Sequence, residues 1–585
     1  MLGKIIGISE NIIEISLNVN VSETQNLVNL FVLLSDNGKN FVGEVVGIKD
    51  NRASVNLIGE FVSNNFVYGV SNKPSFKAQV NLIAPAYINK IIGLENEQAI
   101  SELYLGNSMV YPDVRVGAKV QSLFSHNFAI VGSSGSGKSC GFASLIQNLF
   151  RKQAFPKNAS FVVIDSFGEY EPAFKALMQN NSNFVFKSLT TNKNQSHNLV
   201  KIPVWLLSID DLALLLNVKK VSQMPVLEKA MKFVDIFAQE EEKVLEYKTS
   251  IIAKALLEIL SSGRASSQIR DQFFSVLTKY NTRLINLESL IAQPGYVRPL
   301  KQCLLIDETG KIRAIDLVNE FLTKLIKEDI VLKIPDKSYA YTLDDIAYAL
   351  EFALIDEGIL RNETLYNDIY YLKTNLDTLR NSSDKVFFEY PEYITEMEYM
   401  QKLLYDGDRK CQILNININF IDDRLAKMIA KIYSKMLYDF CKGMKVRASV
   451  PVHIVLEEAH RYVQNDNDVN IIGYNIFDRI AKEGRKYGIL LGLITQRPSE
   501  LSETALSQCS NFLMFKMIHP EDLSFISHVV PDITEATIQK MKTLQPGNCI
   551  LFGTAFKLPT LIKMAMPNPA PMSSNCDILG IWYNN

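Results

Sequence analysis

Gly132-Ser-Ser-Gly-Ser-Gly-Lys-Ser139 follows the apolar run Phe128–Val131 and precedes a helix-forming stretch from Phe142 to Phe150. A strand, a glycine-rich turn and a helix in this order aim several backbone N–H groups at one point beside a helix N-terminus, which is a place for an anion. The last two residues narrow the anion to a nucleoside triphosphate, because Lys138 can reach its β and γ oxygens and the Ser139 hydroxyl can hold Mg²⁺. Gly132, Ser133, Ser134, Gly135, Ser136, Gly137, Lys138, Ser139 and Cys140 are thus the expected binding residues, with ATP and Mg²⁺ as cofactors.

Such a loop needs partners from elsewhere in the chain. Val452-His-Ile-Val-Leu456 is an apolar strand that ends in Glu457-Glu458. One carboxylate is required for the Mg²⁺-water shell and a second for the attacking water, so Glu457 is assigned to the metal and Glu458 to the water. A further apolar strand, Ile489–Ile494, leads to Thr495-Gln496-Arg497, where Gln496 is placed to sense the γ-phosphate or orient the water. Arg479, Lys482 and Lys486 fall at helical spacing on one stripe, which reads either as a solvated face or as the flank of Arg485 acting as an arginine finger in a neighbouring subunit. Asp165 and Glu169, after the strand Ser160-Phe-Val-Val-Ile, read either as outer contacts of the magnesium shell or as a capped loop.

The elements that must position these residues form a long chain. At 585 residues it exceeds what one core supports. A net charge of −2 argues against coating nucleic acid by a broad basic face, although a narrow basic channel is compatible with it. The seven cysteines form no C-x-x-C pair and the six histidines are dispersed, so neither a disulfide framework nor a zinc site is expected. No apolar run approaches the length of a membrane span and the N-terminus lacks a signal-peptide layout, so a cytoplasmic protein with no membrane association is expected.

Before residue 95, short β-rich runs separated by polar turns predict a small barrel with a role in assembly. Asn37-Gly38 marks a hairpin between two of them. The fold class expected is α/β: a P-loop nucleotide-binding core in two parts, 96–205 and 406–585, with the barrel at 1–95 and a helical insertion at 206–405. Within the insertion, Val226–Leu260 reads as a long amphipathic segment, and Ser208–Asp211 and Thr342–Asp345 read as capping boxes.

Taken together, GSSGSGKS, VVIDSFGEY, VWLLSIDDLALLL, VLEEAH, RIAKEGRKYG and TQRPSE resemble, in this order, the HerA group of the HerA/FtsK hexameric translocase ATPases. DSFGEY departs from the family where many members carry Pro and His at Ser166 and Phe167. The resemblance implies that the P-loop core is RecA-like, and further a homohexameric ring, ATP-driven movement on double-stranded DNA and a separate partner, either a NurA-like nuclease or a sirtuin-like anti-phage effector. A different class of function is an ATP-switched hexameric scaffold that gates such a partner without processive movement.

Overall fold

The computed structural model describes all residues except 11, 19–25, 239–240, 294, 328–338, 357–362, 531–532, 574–577 and 584–585. The chain divides into two compact units, one of Met1–Asn198, Met400–Asn465 and Ile476–Asn585, the other of Leu199–Tyr399 and Asp466–Asn475.

The first unit begins with seven strands: β1 Gly3–Ile8, β2 Ile12–Leu17, β3 Phe31–Asp36, β4 Lys39–Lys49, β5 Arg52–Val62, β6 Asn65–Tyr68 and β7 Gln79–Leu82. Their order is β2-β1-β7-β3-β4-β5-β6, and a further β2–β5 pairing closes the ring into a barrel. Alternation drives closure: Ile13, Ile15 and Leu17 on β2 point inward with Val32, Leu34, Val45 and Val55, and the residues between them face out. The β3–β4 hairpin turns at Asn37 and Gly38, both at positive φ (48° and 80°), which is the conformation an Asn-Gly turn favours. β7 escapes the sequence reading because its alternation is short, with Val80 inward and Leu82 exposed.

The same unit holds an 11-stranded sheet. Its strands are β8 Glu102–Ser108, β9 Arg115–Lys119, β10 Asn127–Val131, β11 Phe161–Asp165, β12 Phe186–Thr190, β13 Ile413–Asn417, β14 Val452–Leu456, β15 Ile489–Thr495, β16 Cys509–Met514, β17 Asn548–Gly553 and β18 Thr560–Met564. The order is β12-β13-β11-β14-β15-β10-β16-β17-β18-β8-β9. From β12 to β16 all neighbours are parallel, and from β16 onward all are antiparallel. Every residue of β10, β11, β14 and β15 is buried, as expected where helices cover both faces of parallel strands. The antiparallel half, β16–β18 with β8 and β9, carries no motif and lies outside the sequence expectation.

Register between β10 and β15 is held by the buried Asn127. Its Oδ1 accepts from Leu491 N–H at 2.9 Å, and its Nδ2 donates to the Ala481 carbonyl at 3.1 Å. An unpaired amide here would cost on the order of 1–3 kcal/mol, so this side chain specifies the pairing.

The second unit is mainly helical. The expected Val226–Leu260 segment is two helices, Met224–Phe237 and Glu241–Leu260. Ser208 and Asp211 form the expected capping box, and Thr342 and Asp345 exchange the same pair of bonds. A short hairpin, Leu290–Gln293 with Tyr296–Pro299, interrupts the helices.

Candidate nucleotide site

The helix Lys138–Phe150 starts directly at the lysine of the glycine-rich loop. Gly135 (φ 70°) and Gly137 (φ 108°) take left-handed backbone conformations that a side chain would strain. A Cβ on Gly132 would come within 2.7 Å of Phe515 Cβ, so this position also admits only glycine. The loop is a cradle built for an anion, and the Ser136 hydroxyl within it is buried without a hydrogen-bond partner.

The sheet order brings the remaining residues to this loop. β15 lies between β10 and β14, pairing Val131 with Thr495 on one side and Leu456 with Leu493 on the other. Three parallel strands therefore end side by side: β10 leads into the loop, β15 into Gln496, and β14 into the Glu457-Glu458 pair. Gln496 is half-buried there. Lys138 is 8% exposed, and its Nζ donates to the Ser133 carbonyl at 3.1 Å. Burial pushes its ammonium below the ordinary range, opposed by the charges of Glu458, Glu457 and Glu169.

Glu457 is 3% exposed, and its Oε2 accepts the Ser166 N–H at 3.0 Å. Burial first, then Asp165 and Glu169, raise its carboxyl well above the usual range. Glu458 has φ 48° and ψ 48°, a left-handed conformation uncommon for a non-glycine residue, which turns its side chain out of the strand direction. Its Oε2 lies 3.3 Å from His460 Nδ1, and that nitrogen is 3.1 Å from Thr495 Oγ1. Burial lowers the His460 pKa while Glu458 opposes the shift. His460 thus ties Glu458 to the strand end that carries Gln496, a link that sequence spacing does not reveal.

Asp165 and Glu169 separate in role. Asp165 is fully buried and accepts from the N–H groups of Gly168 (2.8 Å), Glu169 (3.0 Å) and Tyr170 (3.1 Å) and from Asn415 Nδ2 (3.0 Å). It is the capped loop of the two sequence readings. The cap presents Glu169 to the Ser139 hydroxyl, and burial raises the Glu169 carboxyl. The Ser166 hydroxyl joins the Glu457 carbonyl (2.7 Å) to Tyr462 Oη (2.6 Å).

The donor set fits a magnesium nucleotide. Three carboxylates, Glu458, Glu457 and Glu169, act on one lysine, Glu169 Oε2 is buried without a hydrogen-bond partner, and Glu458 Oε2 has the His460 contact in place of a hydrogen bond, so the site is short of positive charge and of donors. Among the described residues no group of three or more His, Cys, Asp or Glu side chains is arranged to hold a metal ion. Magnesium takes one or two protein carboxylates and fills its remaining positions with water and phosphate. Ser139 and Glu457 are the residues that would hold it by the sequence reading. Cys140 is partly exposed on the first turn of the helix, and all cysteines among the described residues are free.

Arg485 does not join this cluster. It is exposed on the short 3₁₀ turn Gly484–Tyr487 before β15, whereas Gln496 comes after β15, so the two lie roughly 20 Å apart along the strand. The basic stripe is also broken: the helix Ile476–Glu483 stops before Lys486, and Arg479 stacks over the Tyr438 ring at 5.2 Å. Gly488, at φ 82°, ends the turn and stops the helical spacing from continuing. No described helix is long and apolar enough to cross a membrane.

The family described as "Helicase HerA, central domain" matches residues 103–317. The DNA double-strand break repair helicase HerA of Saccharolobus solfataricus is 26% identical over 243 residues, 39% of this chain and 48% of that protein, so the chain spans about half the length of this relative. A probable helicase of Methanocaldococcus jannaschii is 23% identical over 560 residues, 93% of this chain and 87% of that one. Among solved structures, VirB4 of Thermoanaerobacter pseudethanolicus is similar at 13% identity and a TM-score of 0.44, over 81% of this chain and 99% of that one. By the match of residues 103–317 to that central domain and by these two helicase relatives, the chain is similar to the HerA helicases of the HerA/FtsK-like ATPases.

Proposed function

We propose that this chain is an ATP-hydrolysing motor that moves on double-stranded DNA as a ring of six copies, beside a separate nuclease or anti-phage effector. The observation that carries the reading is the meeting of Lys138, Glu457, Glu458 and Gln496 at one sheet edge from segments more than 300 residues apart. DNA as substrate is supported by the Saccharolobus relative, a DNA repair helicase. A net charge of −2 is compatible with a DNA contact confined to a narrow channel, as a ring would provide. In this reading the barrel serves assembly and the helical unit is an insertion in the nucleotide-binding core.

The chain's own groups divide the work. The loop N–H groups of Gly135 to Ser139 and the Lys138 ammonium orient the phosphates, while Ser139 and Glu457 would hold the metal. When bound, Mg²⁺ neutralises charge on the β and γ phosphates. Glu458, turned off its strand and tied to His460, orients and deprotonates the attacking water, and Gln496 positions that water from the adjacent strand end. Arg485, too far from its own site, supplies its guanidinium to the site of the next copy.

ATP hydrolysis measured with and without duplex DNA tests the reading. A clear increase with duplex is expected. Hydrolysis indifferent to DNA, with no duplex binding at low salt, sinks the motor. Full activity of the partner complex with Glu458→Gln establishes the switched scaffold in its place.

A further inference from the structure

Two segments that carry no nucleotide-site motif hold the phosphate loop from outside. On one side, Lys516 accepts the Ser133 N–H through its carbonyl at 2.7 Å, and the Phe515 ring lies under the loop, where a Cβ on Gly141 would come within 2.6 Å of its Cζ. On the other side is Gly547, in the turn before β17. Its N–H donates to the Ser136 carbonyl at 2.9 Å, and its own carbonyl accepts the Met564 N–H at 2.9 Å. The Asn548 N–H donates to the Gln545 carbonyl at 3.1 Å and closes the turn. Gly547 is thereby fixed to β18 on one side and to the phosphate loop on the other.

The geometry of a peptide unit gives this contact a consequence. In a trans peptide the C=O and the following N–H point in opposite directions. With the Ser136 carbonyl turned toward Gly547, the Gly137 N–H is turned away from it, onto the concave face of the loop. The approach is close: a Cβ on Gly137 would stand 3.1 Å from Gly547 N. We propose that Gly547 is a positioning residue for the triphosphate: its N–H sets the Ser136–Gly137 peptide plane and so pre-orients a phosphate donor before nucleotide arrives. The inference rests on the nucleotide reading above and adds to it a residue more than 400 positions from the loop. Preorganised donors bind an anion more tightly than donors that must first reorient.

The backbone at residue 547 permits a clean test. Its φ is +80°, and an added Cβ meets nothing within 4 Å, so conformation and not crowding limits substitution. A β-branched side chain is driven out of the left-handed region, whereas asparagine tolerates it and keeps the N–H in place. Gly547→Val and Gly547→Asn are compared in the full chain for Kd of a fluorescent ATP analogue, for KM and kcat of ATP hydrolysis, and for Tm without nucleotide.

Gly547→Val is expected to weaken analogue binding and raise KM by about tenfold or more, with Tm within a few degrees of the parent. Gly547→Asn is expected to restore both to within about threefold. Parent-like binding by the valine variant overturns the proposal. So does equal weakening in both variants with a parallel fall in Tm, since that describes general stability. If the parent chain itself binds no analogue and Lys138→Ala changes nothing, the nucleotide reading fails and takes this inference with it.

Discussion

Lys138 Nζ donates a hydrogen bond to the carbonyl oxygen of Ser133 in its own loop, 3.1 Å away, while the strongest opposing charges acting on it are Glu458 and Glu457. The lysine is buried, and burial alone lowers its pKa, so the carboxylates help to keep it charged. Lys138→Ala is expected to abolish ATP binding. Glu458→Gln is expected to retain binding and lose hydrolysis by about 10²-fold or more, because in the proposed mechanism the carboxylate acts on the water and not on the nucleotide. Equilibrium binding of a labelled nucleotide beside a phosphate-release assay separates the two.

Asp165 is a second check on how the site is built. Its carboxylate accepts three backbone N–H groups and the Asn415 amide in full burial. Asp165→Ala leaves these donors unpaired and is expected to cost about 2–4 kcal/mol. Asp165→Asn keeps an acceptor and costs less. Chemical unfolding of the variants measures the difference, and a neutral alanine variant contradicts the capped-loop role.

Acid sensitivity arises at His453. Its Nε2–H donates to the Phe124 carbonyl at 2.8 Å, its ring stacks on Phe161, and Nδ1 is buried without a partner. Burial lowers its pKa from 6.5 to about 4. The unfolded chain therefore binds more protons than the folded one between these values. Stability is lost as pH falls through 6.5, and the loss is complete below about 4, at roughly 3 kcal/mol. His453→Gln removes this slope. Urea unfolding of parent and variant at pH 7.5 and at pH 5 is the measurement, and parallel pH profiles refute the assignment.

Arg485 can be tested by mixing. Its exposed position at the start of β15 keeps it from the loop of its own chain. Arg485→Ala and Lys138→Ala chains, each inactive, are expected to recover part of the hydrolysis when co-assembled, since some interfaces then pair an intact lysine with an intact arginine. Absence of recovery in rings shown by mass measurement to be mixed argues against a role across the interface.

Much of the site is legible in the residues themselves. Gly132–Ser139, Glu457-Glu458 and Gln496 each stand at the end of an apolar strand, and buried parallel strands announce themselves by unbroken apolar runs. The barrel's alternation and the Asn37-Gly38 turn are local for the same reason: side-chain period and allowed φ are properties of neighbouring residues. Strand order is not local. Only the tertiary structure put β15 between β10 and β14, with Asn127 holding the register, and so set the strand end before Gln496 between those that lead to the phosphate loop and to the two glutamates. It also decided that Asp165 caps a turn, that the helix carrying Arg479 stops short of Lys486, and that Gly547 braces the phosphate loop. Each of these depends on a hydrogen bond or a packing contact between distant segments, and such pairings leave no period or motif in the chain that makes them.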